Sequence, residues 1–406
     1  MQVFYDVVIV GGGMVGGTLA CALADSGFKV ALIENQLPES FSADQPHDLR
    51  VSALSIASEN IFKSIGVWDG IQSRRACPYR RMKIWEFDEN QSTLFDSEQI
   101  GHDHLGHIVE NRIIQLALID RIRELDNVEL ITPATTKRID YSAGASLIEL
   151  DDGRELIAKL MVAADGGDSK VRESAGIGVH RWDYEQQALV ASVITDYPQE
   201  DITWQQFTPT GPLAFLPLTG RCASLVWYNT PKEIKRLTQL DNSALLREIT
   251  DTFPTCLGHI PVLLDKGSFP LRRQHAQAYV KEGVALIGDA AHMIHPLAGQ
   301  GVNIGLLDAA VLAEVIVDAA DDGFEIDDLN VLKQYEKQRK HHNLIIMQTM
   351  DMFYRVFSNN ILPVKLLRNL GLSIAGHTMP AKRKVMRFAM GLEGTLPRTA
   401  QSDALL

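Results

Sequence analysis

Cysteine is scarce in this chain. Cys21, Cys77, Cys222 and Cys256 are scattered over 406 residues without a C-x-x-C pair. That spacing excludes a disulfide framework and a zinc knuckle, and it fits a reducing, cytoplasmic setting. Also missing is any uncharged apolar run of the ~18 residues that a membrane-spanning helix needs. The N-terminus is apolar but has no basic stretch and is interrupted by Asp6, so it reads as structure rather than as a signal peptide. Positive charge is in deficit: 39 Lys and Arg against 51 Asp and Glu give a net charge of −12. A nucleic-acid binder needs a basic footprint, so that class is set aside. Hydrophobic residues at 46% and charged residues at 22% are ordinary for a globular protein, which excludes wholesale disorder. The length suits two or three domains, or one large α/β domain carrying an insertion.

What is present begins at once. Val7 to Val10 is a β-branched apolar run of the kind a buried parallel strand requires. It leads into G-x-G-x-x-G, with Gly11, Gly13 and Gly16 at the three positions and Met14 opening a helical period that Gly27 ends. A second strand, Lys29 to Ile33, stops at Glu34. In this order the glycines serve three ends: a tight turn, close approach of backbone to a pyrophosphate, and close packing of helix on strand. The helix N-terminus supplies unpaired N–H groups and partial positive charge, and Glu34 can accept from both hydroxyls of an adenosine ribose. An acid there disfavours a 2′-phosphate, so the tightly held nucleotide is expected to be FAD or NAD.

Two further signatures follow. Met161 to Ala164 ends a strand, and Asp165-Gly166 then leads to a helix capped by Ser169. Later, Val284 to Ile287 reads as a strand entering Gly288-Asp289-Ala290-Ala291-His292, followed by His295-Pro296-Leu297-Ala298-Gly299-Gln300-Gly301-Val302-Asn303 and a long helix to about Ala320. Asp289 at a strand end can bind a ribityl or ribose hydroxyl. Gly299, Gly301 and Asn303 at a helix start would offer backbone N–H groups to the N1–C2 carbonyl region of a flavin, where negative charge collects on reduction.

Together these motifs resemble the single-component flavin aromatic hydroxylases, the p-hydroxybenzoate hydroxylase-like family. The likeness runs over roughly residues 3 to 360. Asp48 to Leu54, Leu105 to Gln115 and His292 to Asp308 resemble its ubiquinone-biosynthesis members in particular. The resemblance implies an α/β fold: a discontinuous Rossmann-like FAD-binding domain (1–75, 105–181, 274–340), an inserted antiparallel-sheet substrate domain (76–104, 182–273) and a helical C-terminal segment (341–406). It implies FAD held by Gly11, Gly13, Met14, Gly16, Glu34, Arg50, Asn111, Asp165, Gly288, Asp289, Gly299, Gln300, Gly301, Val302 and Asn303, with NAD(P)H as transient electron donor. It further implies NAD(P)H- and O₂-dependent hydroxylation of a polyprenylated benzoquinol through a flavin C4a-hydroperoxide, at the last ring hydroxylation of the pathway. A sister hydroxylase at another ring position, a flavin reductase or epoxidase on an isoprenoid, and an assembly subunit holding FAD for structure stay open. His295 and Pro296 lie where oxygen transfer is expected and are the candidate catalytic residues; His292 reads as structural.

The remaining features are simpler. Ala188–Ile194, Thr203–Phe207, Ala214–Pro217 and Ala223–Tyr228 read as antiparallel strands, with 79–94 joining their sheet. Trp204, Phe207, Phe215, Trp227 and Tyr228 suit either a pocket or plain core. His102-x-His104 and His341-His342 have no matching acid or cysteine cluster, so no metal site is expected. Between Met352 and Met390 the chain carries seven Lys or Arg and no acid, interleaved with apolar residues. This block suits a membrane surface, peripheral to the inner membrane, or contact with a ubiquinone-biosynthesis complex, and equally an ordinary helical tail packing on the FAD domain. Residues 393–406 read as a frayed terminus.

Overall fold

The computed structural model describes residues 2–86, 88–197, 201–254, 258–294, 300–357 and 379–401. The expected α/β class is found. The first sheet places strand Glu155–Ala163 between Gln2–Val10 and Val284–Leu286, with Val30–Ile33 and Val128–Ile131 beyond Gln2–Val10. These five strands run parallel. Val7, Val8 and Ile9 are fully buried, as a strand covered on both faces requires. Each such side chain contributes roughly 1.5–3 kcal/mol on leaving water.

The second sheet also has eight strands among the described residues, in the order His292–Met293, Val262–Ala276, Val179–Ile194, Cys222–Asn229, Gly211–Pro217, Ile202–Thr208, Arg81–Trp85 and Thr93–Asp96. Arg81–Trp85 pairs parallel with Ile202–Gln206, so the early segment enters this sheet as the sequence led us to expect. Residues of odd number on the central strands (Leu189, Ala191, Leu213, Phe215, Leu225, Trp227) pack with Ile234, Leu237, Leu245 and Ile249 of helices Pro231–Gln239 and Asn242–Thr252. Residues of even number therefore face the other way, toward the first sheet.

Helix Gln300–Asp321 is the joint between these parts. Asp308, fully buried on it, accepts from His292 Nε2 at 2.5 Å, Gly288 N at 3.2 Å, Arg339 Nε at 2.8 Å and Asn343 Nδ2 at 3.0 Å. Arg339 and Asn343 belong to helix Leu329–Phe357. That helix is continuous through residue 340, where the sequence had suggested a boundary, because both residues answer to the same buried acid. The C-terminal stretch differs from expectation as well. Residues 393–401 are docked: Asn60 Nδ2 donates to Ala400 O at 3.1 Å, and Arg398 N donates to Glu314 Oε2 at 2.7 Å. Residues 402–406 lie outside the described residues.

Burial would push the Asp308 carboxyl up, but the His292 and Arg339 charges outweigh it and hold it at about 2. Burial and the Arg339 charge lower His342 to about 4, and burial with the His292 charge does the same to His275. A histidine held neutral in the fold costs stability once the unfolded chain can take the proton. Stability should therefore fall as pH drops from 6.5 toward about 4. The share due to Asp308 is present above its ordinary value of 3.8 and is lost as pH falls from there toward about 2. Asp308→Asn at neutral pH leaves Arg339 buried without its counter-charge and should cost about 3–5 kcal/mol. Denaturant midpoints across this pH range measure both effects; a variant as stable as wild type would remove Asp308 from the joint.

Candidate functional site

A cavity of about 520 Å³ lies between the two sheets. On one side it is lined by Gly13, Met14, Val15, Arg50, Asn111, Ala164, Gly166, Gly288, Asp289, Gly301 and Val302. On the other it is lined by even-numbered residues of the second sheet: Ala188, Val190, Ala214, Leu216, Ser224, Val226 and Tyr228. Tyr79, Met82, Ile108, Trp204, Phe269 and Leu271 close it further.

Two helix N-termini meet at this cavity. Helix Met14–Ala22 begins after Gly13 with no side-chain cap and no acid in its first turn. Helix Gln300–Asp321 also has no acid in its first turn, and its Gly301 and Val302 line the cavity. Two positive dipole ends therefore face one space, with uncapped N–H groups at helix Met14–Ala22, which suits anionic groups. The glycines make this possible. Gly11 has φ +106°, and a Cβ on it would lie 2.3 Å from Ala164 O. A Cβ on Gly13 would meet nothing within 4 Å, because it would point into open space at the helix entrance. A pyrophosphate would occupy that space. Gly16 contributes by packing: its Cβ would lie 2.0 Å from Gly11 O.

The other residues expected around a dinucleotide fall into three groups. Arg50, Asn111, Gly288 and Asp289 line the cavity together. The Arg50 guanidinium sits 5.4 Å from the Phe269 ring, and Asn111 Oδ1 accepts from Ser52 Oγ at 2.7 Å. Asp289 is open to the cavity yet deeply enclosed by protein. Burial raises its carboxyl, with His292 and Arg50 pulling the other way. Glu34 lies beneath the glycine loop, accepting from Gly12 N at 2.7 Å and Gln36 N at 3.0 Å.

Two of these residues use their side chains on the protein itself. Asn303 does not face the cavity: its Oδ1 accepts from Ser55 N and Ser58 Oγ, and its Nδ2 donates to Ala53 O. Its side chain fastens helix Gln300–Asp321 to strand Val51–Ser55. Asp165 caps helix Lys170–Ser174, with Oδ2 accepting from Lys170 N and Val171 N, while Oδ1 is buried without a partner. The third group, His295, Pro296 and Gly299, lies outside the described residues, as does the Gln300 side chain. His292 is structural, through Asp308.

Strand parity sorts the aromatic candidates. Phe215 and Trp227 face the helices as core, Tyr228 faces the cavity, and Trp204 lines it while stacking on Phe215 at 5.5 Å. Sequence reading missed Ser224. It stands opposite Ser192 across two strands, and neither hydroxyl has a partner among the described residues. Alternation alone could have flagged it, had the cavity face been known. The sequence reading also found no acid for His104; Glu59 Oε2 lies 2.6 Å from its Nε2, with His107 Nδ1 3.1 Å from the same oxygen.

Comparison with known proteins agrees with this geometry. The family described as "FAD binding domain" matches residues 4–349. The 3-demethoxyubiquinol 3-hydroxylase of Escherichia coli (strain K12) is 44% identical over 387 residues, covering 95% of this chain and 98% of its own. The ubiquinone hydroxylase UbiL of Rhodospirillum rubrum is 38% identical over 388 residues, covering 95% and 89%. Among solved structures, p-nitrophenol 4-monooxygenase from Pseudomonas putida DLL-E4 superposes with a TM-score of 0.79 at 20% identity, covering 98% of this chain and 100% of that one, a likeness of fold.

Gly13→Val would place a side chain where nothing stands within 4 Å in the protein itself. The variant should fold with an unchanged circular dichroism spectrum and purify with most of its flavin absorbance gone. A yellow, fully loaded variant would move the pyrophosphate elsewhere.

Proposed function

The chain belongs to the FAD binding domain family, and from that premise we propose that it is an FAD-dependent monooxygenase hydroxylating a polyprenylated benzoquinol ring in ubiquinone biosynthesis. The convergence of two helix N-termini, neither with an acid in its first turn, on a cavity whose far wall is a largely apolar sheet face carries this reading. The names of the Escherichia coli and Rhodospirillum relatives support the substrate class. Within it, we assign the last ring hydroxylation.

In this reading the segments 1–75, 105–181 and 274–340 form the cofactor domain, and 76–104 with 182–273 form the substrate domain. Gly13 and Met14 receive the pyrophosphate. Glu34 takes the ribose and Asp289 the ribityl hydroxyls, opposite Arg50. Gly301 and Val302 present backbone N–H groups to the ring. When bound, FAD would supply electron transfer from NAD(P)H and activation of O₂, one oxygen atom going to the ring and the other to water. The chain's own work is to bind, orient and keep water out. Helix Gln300–Asp321 favours negative charge at its N-terminus. Val190, Leu216, Val226 and Leu271 keep the reacting space dry. Tyr228 and Ser224 are the hydroxyls of that wall, and they orient ring oxygens. His295 and Pro296, which lie outside the described residues, are the catalytic residues of this reading.

Among the described residues no helix is long and apolar enough to cross a membrane. A substrate with a polyprenyl tail nonetheless has to leave lipid. Helix Met379–Ala389 turns Met386 and Lys382 inward, with Lys382 Nζ over the Phe95 ring, and exposes Arg383, Lys384 and Val385. We assign this outer face to an anionic lipid surface. Replacing Arg383 and Lys384 by Ala should weaken sedimentation with phosphatidylglycerol vesicles about fivefold per residue. Unchanged sedimentation would leave this helix a packing element.

The function is tested in cells lacking the gene. Accumulation of 2-polyprenyl-3-methyl-6-methoxy-1,4-benzoquinone, identified by mass spectrometry, is the expected result. A less decorated ring would move the enzyme to a sister step, and normal ubiquinone would contradict the pathway.

A further inference from the structure

We propose that Glu59, His104 and His107 form a binding site for one divalent transition-metal ion of the zinc class, separate from the cofactor cavity. Glu59 lies on helix Ile56–Ser64, His107 in strand Gly106–Glu110, and His104 just before that strand. Their donor atoms all lie within 4.8 Å of one another. Glu59 Oε2 is 2.6 Å from His104 Nε2 and 3.1 Å from His107 Nδ1. Around a tetrahedral zinc with ligand bonds of ~2.0–2.1 Å, neighbouring donors sit about 3.3 Å apart, so the two Glu59–histidine distances need to open by under ~1 Å.

The hydrogen bonding favours an ion. His107 is buried, yet its Nδ1 has no hydrogen-bond partner. It stands close to the carboxylate but off the line along which an N–H would donate. A lone pair directed at a metal would answer that position. The ring is held edge-on by Trp68 at 4.9 Å and by His104 at 4.4 Å, so the nitrogen is fixed in place. Lys63 Nζ takes the other carboxylate oxygen at 2.7 Å, leaving Oε2 alone to the histidines. That is a single-oxygen ligand with its outer contact in place. The His104 side chain is 21% exposed, which gives an entry path and room for water at the fourth position. Two imidazole nitrogens and one carboxylate oxygen suit zinc or cobalt over magnesium or calcium.

The site's position gives its role. Ile108 lines the cofactor cavity, so the adjacent His107 faces the opposite side of its strand. The ion would therefore staple helix Ile56–Ser64 to this strand rather than touch the reacting atoms. The same helix carries Ser58, and its cap is Ser55, the two partners of Asn303 Oδ1.

The test uses untagged, FAD-loaded, full-length protein stripped with EDTA, exposed to zinc chloride and passed through gel filtration. About one zinc per chain should be retained by mass spectrometry of the metal. The unfolding midpoint should rise with zinc concentration. His104→Gln, at the partly exposed ligand, should keep its flavin and weaken zinc binding by about tenfold or more. X-ray absorption on zinc-loaded wild type, which needs no variant, should give two imidazole ligands. No retained zinc, equal retention by His104→Gln, or a zinc spectrum without imidazole would each overturn the proposal. The flavin content of all samples reports the cofactor reading separately.

Discussion

The Asp308 carboxylate, fully enclosed and answered by four donors, is the constraint on which the rest of the structure depends. Left alone, a buried carboxylate is prohibitively costly; here His292 and Arg339 hold it ionised. Its partners come from three directions: the turn after strand Val284–Leu286, the short strand that joins the second sheet, and helix Leu329–Phe357. One turn and a half earlier on the same helix, Asn303 fastens strand Val51–Ser55 and the helix after it. Gly305 lets Val15 and Gly288 approach closely, since a Cβ on it would lie 2.8 Å from Val15 Cγ2. One helix is thereby registered against helix Met14–Ala22, the Gly288 turn and strand Val51–Ser55, which line one side of the cofactor cavity.

That register produces the chemistry. Without it, the N-terminus of helix Gln300–Asp321 would not point into the space that helix Met14–Ala22 also faces. Two dipole ends in a low-dielectric cavity stabilise negative charge more than either would in water. The opposite wall comes from strand alternation: strands Val179–Ile194, Gly211–Pro217 and Cys222–Asn229 spend odd-numbered side chains on two helices and turn even-numbered ones to the cavity. Polar binding on one side and a dry wall on the other are what a flavin and an apolar aromatic substrate need together.

Much of this was legible in the sequence, for identifiable reasons. The glycine loop, the strands around it and Asp289 could be read because their chemistry is local: a tight turn, an apolar run, an acid at a strand end. Side chains whose partners are distant could not. Asn303 could be read as a backbone N–H at a helix start, but its side-chain amide answers a strand 250 residues away. Glu59 and His104 are 45 residues apart, so neither announced the other. Phe215, Trp227 and Tyr228 all read as pocket or core, since alternation fixes which residues share a face but not which face is covered. Residues 393–401 looked frayed by composition, yet Ala400 is fully buried against the helix bearing Asn60.

The most direct measurement is isotopic. Purified, FAD-loaded protein would be given NAD(P)H, the polyprenyl benzoquinol and ¹⁸O₂, and the product ring examined by mass spectrometry. A hydroxylated ring carrying a single oxygen from O₂ is expected, with the yield falling in Gly13→Val. Label arriving from water, or flavin reduction with no oxygen entering the ring, would contradict a monooxygenase and leave the cavity to another flavin reaction.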